Sequence, residues 1–236
     1  LSSKYRVSPA MVEFSVIVPV FNDYARLGKC LAALEAQSIG RDRYEVIVVD
    51  NLSSEVDEQV KRKFGWVSWK SCNRRGSYCA RNVGVNEAKG HILAFTDSDT
   101  VPDMHWLQAA SEYFKEYGDK CVIAGSVQVF SEGGDESEGV AVQHEKLFGF
   151  SQEQYVARRG FGVTANLFVP SSVMKLVGGF REDLMSNGDL EWGMRRARNN
   201  IDLIYADSTF VSHPARASLV ELKKKIRRVA EGRAAR

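Results

Sequence analysis

Short apolar runs alternate with helix-like segments over the first hundred residues of the chain. Residues 14–22, 44–50 and 92–95 are almost uninterrupted apolar runs, which are typical of strands buried on both faces. Leucines recur at helical spacing after the first run, and residues 56–64 and 76–88 predict two further helices. This alternation predicts an α/β fold in which a mostly parallel, Rossmann-like central sheet is flanked by helices in a single domain.

The ends of the predicted strands are the places where a ligand is expected. In open α/β sheets, ligands bind outside the carboxyl ends of the parallel strands. The first strand is expected to stop at Pro19, the second ends in Asp50 and the third is followed by Asp97. We therefore expect these three positions to line one crevice.

Beyond residue 103 the pattern is less regular. It predicts, in chain order, a helix at 106–117, strands at 122–130 and 162–170, a helix at 189–199 and a short strand at 203–205. Residues 131–138 are an acidic loop, and residues 139–160 mix aromatic residues with glycine and charges without a clear period. The change of pattern is interpreted as two halves of one domain.

Composition places the chain among ordinary globular proteins. It has 236 residues, of which 44% are hydrophobic and 26% charged. No apolar run approaches the roughly 20 residues of a membrane-spanning helix, and the first residues lack the apolar core of a signal peptide. The four cysteines form no C-x-x-C pair, so free thiols and a cytoplasmic location are expected.

The net charge of +2 conceals an uneven distribution. Residues 221–236 contain seven basic and two acidic residues, whereas the rest of the chain contains 25 basic and 28 acidic residues. The charge of residues 1–220, called the body below, therefore does not indicate a nucleic-acid-binding surface. In the tail, Leu219, Leu222, Ile226 and Val229 recur at helical spacing among the basic residues. This predicts a basic amphipathic helix, which either lies on an anionic membrane surface or docks on the body with its basic face in solvent.

Two carboxylates follow the third predicted strand. Asp97 and Asp99 are one residue apart and can converge on one point in a loop. They would repel one another unless a cation lay between them, and carboxylate oxygens suit Mg²⁺ or Mn²⁺. The alternative is a strand-end turn that is merely rich in Asp.

Eight separated segments together resemble glycosyltransferase family two, the large inverting family with a GT-A fold. They occur in the family's order between residues 14 and 214. The segments are VIVPVFN (16–22), VIVVDN (46–51), GSYCARN (76–82), AFTDSD (94–99), TAN (164–166), GGF (178–180), GDLEW (188–192) and VSHP (211–214).

The resemblance implies that the N-terminal half binds a nucleotide-sugar. The implied contacts with the base, the ribose and the nucleotide are made by Pro19, Phe21, Asp23, Asp50, Gly76 and Ala80. An aromatic ring offers a stacking face, and an Asp accepts hydrogen bonds from base or ribose donors. The alternatives are that Phe21 belongs to the core and that Asp50 caps a strand end.

The segment Asp97-Ser98-Asp99 matches the family's D-x-D, which binds a divalent metal on the donor's diphosphate. By the resemblance, Asp99 is the direct ligand of Mn²⁺ or Mg²⁺, Asp97 contacts the ribose or the metal through water, and Ser98 adjoins the donor. His213 matches a late histidine that is a third metal ligand in some relatives. Its alternative role is structural.

Asp189 matches the family's general base, which takes a proton from the acceptor hydroxyl. Many relatives carry two consecutive acids at this point, whereas this chain has Gly188 before Asp189. The alternative role of Asp189 is a helix N-cap. Glu191 and Trp192 follow on the same helix and are expected to bind the acceptor, although Trp192 alternatively belongs to the core. Residues 131–160 are expected to form a mobile flap over the acceptor.

The sequence therefore predicts a metal-dependent inverting glycosyltransferase of cell-surface polysaccharide or glycolipid synthesis. Its expected acceptor is a saccharide or a lipid-linked saccharide, and its expected location is cytoplasmic with peripheral contact to the inner face of the membrane. The predicted organisation is an N-terminal extension (1–13), a GT-A domain (14–214) with nucleotide-sugar-binding (14–103) and acceptor-binding (104–214) halves, and a C-terminal helix (215–236).

Two other functions remain as alternatives. A nucleotidyltransferase would need basic residues near a glycine-rich first loop, and the segment 18–22 has neither feature. A non-catalytic sugar-binding or partner-binding domain could have kept the fold, but the presence of Asp99 and Asp189 counts against it. A redox dinucleotide enzyme is disfavoured because no G-x-G-x-x-G follows the first strand.

Overall fold

The computed structural model describes residues 12–133 and 139–234. Within these residues, eight strands form one sheet in the order β3-β2-β1-β4-β7-β6-β8-β5. The strands are β1 (Phe14–Val20), β2 (Tyr44–Asp50), β3 (Ser68–Ser71), β4 (Ile92–Thr96), β5 (Val101–Pro102), β6 (Cys121–Phe130), β7 (Asn166–Pro170) and β8 (Asp202–Pro214). The helices are α1 (Tyr24–Glu35), α2 (Glu58–Lys63), α3 (Ser77–Glu87), α4 (Trp106–Tyr117), α5 (Val140–Phe148), α6 (Gln152–Arg159), α7 (Ser171–Val177), α8 (Gly188–Arg198) and α9 (Leu219–Ala234).

The first half of the sheet is parallel, as its apolar runs predict. Strands β3, β2, β1 and β4 pair in parallel, with Phe14 opposite Tyr44 and Ile92. Alternate residues of β1 face opposite layers, so Val16 packs with α1 whereas Ile17 lies under α3. This two-sided burial explains why the strands appear as unbroken apolar runs. It also sets their carboxyl ends side by side at one edge of the sheet.

The same sheet continues through the second half of the chain. Strand β7 runs antiparallel between β4 and β6, and β6 pairs in parallel with β8. The prediction of a short strand at 203–205 is wrong in length, because β8 has 13 residues and includes the segment 211–214. A register shift at Gly125 and Ser126 interrupts the pairing of β6 with β8. Asp207 and Ser208, which are polar and exposed, lie near this irregularity and conceal the strand from pattern reading.

Residues 139–160, whose pattern has no clear period, are largely helical, and the flap expected at 131–160 stays a prediction. Helices α5 and α6 occupy most of residues 140–159. In α5, the inward-facing residues include Glu145 beside Ala141 and Val142, and a buried acid disguises the helical period of apolar residues. Helix α7 likewise has no counterpart among the predicted elements. Residues 1–11 of the predicted N-terminal extension and residues 134–138 of the acidic loop lie outside the described residues.

The cysteines do not all remain free thiols. Cys72 and Cys79 are joined by a disulfide, whereas Cys30 and Cys121 are free and buried. The expectation of four free thiols is therefore wrong for the first pair. The pairing depends on the turn between β3 and α3, which a search for C-x-x-C spacing does not detect. Among the described helices, none has the length and apolarity required to cross a bilayer.

Candidate functional site

A cleft of about 840 Å³ lies at the carboxyl ends of β1 and β4. Among the residues that line it are Pro19, Phe21, Asp23, Gly76 and Ser98, all of which the sequence places at the nucleotide. The Phe21 ring is 49% exposed, so the alternative that it belongs to the core is wrong. The expected convergence of strand ends on one crevice is thus realised for β1 and β4.

Three candidate metal ligands meet in this cleft. One ligand atom from each of Asp97, Asp99 and His213 lies within 4.8 Å of the other two. The two carboxylates leave the end of β4, and His213 lies near the end of the long strand β8. Burial raises the pKa of Asp99, while the neighbouring imidazole of His213 opposes that rise.

The orientation of the His213 ring makes this cluster suitable for a cation. Its Nδ1 lies 2.8 Å from the carbonyl oxygen of Pro214, which can only accept, so Nδ1 is the protonated nitrogen. In the neutral ring, Nε2 then presents a lone pair to Asp99 Oδ1 at 3.5 Å. A proton or a metal cation between these two atoms would satisfy both, and metal-binding histidines are oriented in this way by their other nitrogen.

Arg81 completes this part of the site and was not among the residues singled out from the sequence. Its guanidinium forms an ion pair with Asp97, and its side chain is only 4% exposed. Arg81 lies on α3 and lines the cleft between the cluster of Asp97, Asp99 and His213 and helix α8. Its position inside the segment 76–82 was the one available signal. The buried Nε of Arg81 has no hydrogen-bond partner among the described residues.

Asp189 lies in the first turn of α8 and lines the same cleft. The N-cap position belongs to Asn187, whose φ is +60°, so the alternative role of Asp189 as N-cap is wrong. Asp189 Oδ1 accepts a hydrogen bond from the Leu190 amide at 2.9 Å. Burial raises the pKa of Asp189, and the hydrogen bond from Leu190 and the charge of Arg81 limit the rise.

The loop after β2 differs in detail from its prediction. Asp50 accepts hydrogen bonds from the Tyr24 hydroxyl at 2.9 Å and from the Ser53 amide at 3.0 Å, and it is not among the residues that line the cleft. The next residue, Asn51, lines the cleft and bonds both the Gly76 amide and the Arg74 carbonyl. Asn51 therefore fixes the loop before α3, a role that its position after Asp50 did not reveal.

Three of the predicted contacts are not supported by the structure. Ala80 is fully buried against Ile47 and Val49 and does not line the cleft, because it faces the sheet. Trp192 is 2% exposed and donates to the Gly178 carbonyl at 2.8 Å, so it belongs to the core rather than to an acceptor platform. Glu191 is held by Arg195 at 2.8 Å and likewise does not line the cleft.

The far wall of the cleft is formed by α5 and α9. Glu145 of α5 is 2% exposed and pairs with Lys225 of α9 and with Arg216. Lys225 and Arg228 line the cleft, and together with Arg216 they also line a smaller cavity beside Asp99. The amphipathic helix predicted at the C-terminus therefore docks on the body. Its docking brings positive charge to the cleft, which the sequence did not reveal.

Comparison with a family model gives one clear match. The model described as glycosyl transferase family 2 matches residues 15–170, about two thirds of the chain. The chain is also 32% identical over 225 residues to the glycosyltransferase AglE from Haloferax volcanii. This alignment covers 92% of the chain and 72% of the relative.

Solved structures match the fold. The S. aureus TarS fragment 1–349 in complex with UDP superposes with a TM-score of 0.68 at 21% identity, covering 93% of this chain and 65% of that one. The mannosyltransferase PcManGT from Pyrobaculum calidifontis in complex with GDP-Man and Mn²⁺ has a TM-score of 0.63 at 18% identity, covering 89% and 60% respectively. The chain therefore spans less than two thirds of these crystallised chains, and at such identities the likeness concerns the fold alone.

Proposed function

Because the chain belongs to glycosyl transferase family 2, we propose that it transfers a sugar from a nucleotide-sugar donor to an acceptor hydroxyl and inverts the anomeric configuration. The observation that carries this proposal is one cleft that contains both the cluster of Asp97, Asp99 and His213 and the separate carboxylate of Asp189. The cluster suits a departing diphosphate, and the separate carboxylate suits an attacking hydroxyl.

The donor is proposed to bind across the carboxyl ends of β1 and β4. Pro19 and the exposed Phe21 offer an apolar surface for a nucleoside, and Gly76 lines the same cleft. UDP and GDP-Man occupy two proteins of similar fold, which supports a uridine or guanosine diphosphate sugar. In this proposal, residues 14–103 form the donor half and residues 104–214 the acceptor half.

The residues of the cluster fit a divalent cation. Asp97, Asp99 and His213 would hold Mn²⁺ or Mg²⁺, whose charge would neutralise the departing diphosphate. Arg81 and the basic residues of α9 add positive charge around the same leaving group. Arg81 also holds Asp97 in place through its ion pair.

Asp189 is proposed to act as the general base. Burial raises the pKa of Asp189, and a carboxylate with a raised pKa is a stronger base, once ionised, than an exposed one. It would take the proton of the acceptor hydroxyl as that oxygen attacks the anomeric carbon from the face opposite the diphosphate. One carboxylate in this role, with no covalent intermediate, gives inversion.

The acceptor is proposed to be a saccharide or a lipid-linked saccharide of a cell-surface polymer or glycolipid. Helix α9 supports the lipid-linked form, because Leu219, Val220 and Ile226 are each more than half exposed on it. Lys223 and Arg227 are exposed among these apolar residues. Such a surface suits peripheral contact with the anionic inner face of a membrane from the cytoplasmic side.

The experiment that tests this function is a transfer assay with a panel of UDP- and GDP-sugars, Mn²⁺ and saccharide acceptors. The proposal expects one donor to be consumed, with an inverted glycosidic bond identified by NMR. Asp189→Asn and Asp99→Ala should each abolish transfer. An Asp189→Asn variant with the wild-type turnover number would refute the role of the base, and retained configuration would refute the mechanism.

A further inference from the structure

The hydroxyl of Tyr78 reaches from α3 to the first turn of α8. The Gly188 amide donates to the phenol oxygen at 2.9 Å, and the Asp189 amide donates to it at 3.3 Å. Helix α8 has no side-chain cap of its own, because Asn187 makes no capping hydrogen bond. The phenol of a distant helix thus accepts the amides that a local Ser or Asp would normally accept.

The proton of the same hydroxyl points to the Asp189 carboxylate. Tyr78 donates to Asp189 Oδ1 over 3.4 Å, a long hydrogen bond. Since two amides already occupy the lone pairs of the phenol, this carboxylate is the acceptor left for its proton. Oδ1 also accepts from the Leu190 amide. Among the described residues no donor engages Oδ2, so that oxygen is the one left free for an incoming hydroxyl.

Gly188 lies so close to the ring of Tyr78 that no side chain fits between them. A Cβ built on Gly188 would lie 2.6 to 2.9 Å from three ring atoms of Tyr78. Any side chain at this position would therefore displace the phenol. The ring itself is fixed, with 6% exposure and the Phe180 ring at 5.7 Å. Glycine at 188 and tyrosine at 78 form one structural unit.

We propose that Tyr78 is the positioning residue for Asp189 and that Gly188 is glycine in order to admit it. This inference rests on the proposed function, in which Asp189 is the general base. The phenol fixes Oδ1, directs Oδ2 to the acceptor and stabilises the ionised carboxylate. Burial raises the pKa of Tyr78, so the phenol stays protonated as a donor throughout the working range.

Charged groups near Asp189 also act on its pKa, beside the hydrogen bond from Tyr78. Arg81 of α3 lowers the pKa of Asp189, Asp97 of the loop after β4 raises it, and Arg228 of α9 lines the same cleft. A hydrogen bond from Tyr78 favours the charged carboxylate. Loss of that bond therefore moves the pKa of Asp189 upwards. The acid limb of kcat should follow it to higher pH.

The test is Tyr78→Phe, which removes the hydroxyl and keeps the ring. The expected fall in kcat is about 10- to 100-fold, because losing a hydrogen bond to a charged group changes a rate constant by roughly that factor. The KM for the donor should change little. Tyr44→Phe is the matched control, because the Tyr44 hydroxyl is equally buried and bonds the Leu34 carbonyl far from the cleft. It should leave kcat and its pH profile unchanged.

Gly188→Ala provides a second variant, with Gly139→Ala as its control. A Cβ on Gly139 meets no atom within 4 Å, so that variant should keep full activity. Gly188→Ala should lose activity as Tyr78→Phe does, because the methyl group displaces the phenol. Full activity of Gly188→Ala would overturn the proposed unit of two residues.

Titration of the Asp189 carboxyl carbon by NMR gives a readout that does not require turnover. The proposal expects a higher pKa for Asp189 in Tyr78→Phe than in the wild type. An unchanged titration, or an unchanged kcat and pH profile in an active Tyr78→Phe enzyme, would overturn it. If the wild type and Tyr44→Phe transfer no sugar, the proposed function fails instead, and the titration still decides whether Tyr78 holds Asp189.

Discussion

The buried carboxylate of Glu145 is expected to determine whether α9 stays docked against the cleft. Glu145 accepts from Lys225 and from the Arg216 amide at 3.1 Å, and its side chain is 2% exposed. We predict that Glu145→Gln weakens this docking, because the amide keeps the shape of the side chain but loses its charge. Two cations would then remain without their counter-ion.

The size of the effect follows from the exposure of the partners. Breaking a fully buried pair costs about 3 to 5 kcal/mol. The Lys225 and Arg216 side chains are 21% and 26% exposed, so water compensates part of that loss. We therefore expect roughly 1 to 3 kcal/mol less docking free energy. In an opening equilibrium this is a factor of about 5 to 150.

Amide hydrogen exchange over residues 219–234 measures that opening equilibrium directly. The prediction is exchange about 5- to 150-fold faster in Glu145→Gln than in the wild type. Glu221→Gln is the matched control, since it removes an exposed acid from α9 itself and should change little. Equal exchange in Glu145→Gln and the wild type would refute the claim that this pair holds the helix.

The pH dependence of the same exchange gives a further check. Burial alone would raise the pKa of Glu145, but the hydrogen bond and charge of Lys225 and the contacts of Arg216 outweigh it and lower the pKa. A lowered folded pKa contributes stability that is present above the unfolded pKa and is lost as the pH falls through the folded pKa. The difference between the wild type and Glu145→Gln should therefore vanish in acid.

Three further predictions concern the base, the tail and the disulfide. Asp189→Asn should lower kcat by at least about 100-fold while nucleotide binding by calorimetry stays unchanged; weakened binding would instead place Asp189 in the donor site. Lys223→Gln with Arg227→Gln should reduce partition onto anionic vesicles about 30-fold, at roughly 1 kcal/mol per cation; equal partition would leave only the docking role of α9. Replacing Cys72 and Cys79 by serine should lower stability by about 2 to 3 kcal/mol in urea unfolding under oxidising conditions, and an unchanged midpoint would show that the pair contributes nothing.

The location of Asp97 and Asp99 could be predicted from the sequence, because these residues directly follow a strand that the pattern reveals. Asp97 and Asp99 follow an apolar run whose burial on both faces could be read directly, and the parallel fold then places them at the edge of the sheet beside β1. His213 was found only through its resemblance to a family segment. Its partnership with the two acids depends on β8 returning beside β6, which no local pattern determines.

The two residues expected to bind the acceptor lie outside the cleft for one physical reason, and the core alternative for Trp192 is confirmed. Trp192 and Glu191 follow the base in sequence, but the helical turn directs Trp192 to the core and Glu191 to Arg195. Residues that are adjacent to Asp189 in sequence therefore do not lie beside it in the cleft. The contact of Tyr78 with Gly188 was equally hidden, since it joins two helices 110 residues apart. Its only trace in the sequence is the glycine at position 188.

The central claim is that Asp97, Asp99 and His213 bind a metal together with a nucleoside diphosphate. A thermal-shift measurement with UDP and GDP, each with and without Mn²⁺, tests it most directly. A ligand at 100 times its Kd adds about 2.7 kcal/mol of stability, which for a chain of this size raises Tm by roughly 5 to 10 °C. The account predicts such a shift for one diphosphate only when Mn²⁺ is present, and its loss in Asp99→Ala. No shift at millimolar ligand, or an equal shift in Asp99→Ala, would contradict the account.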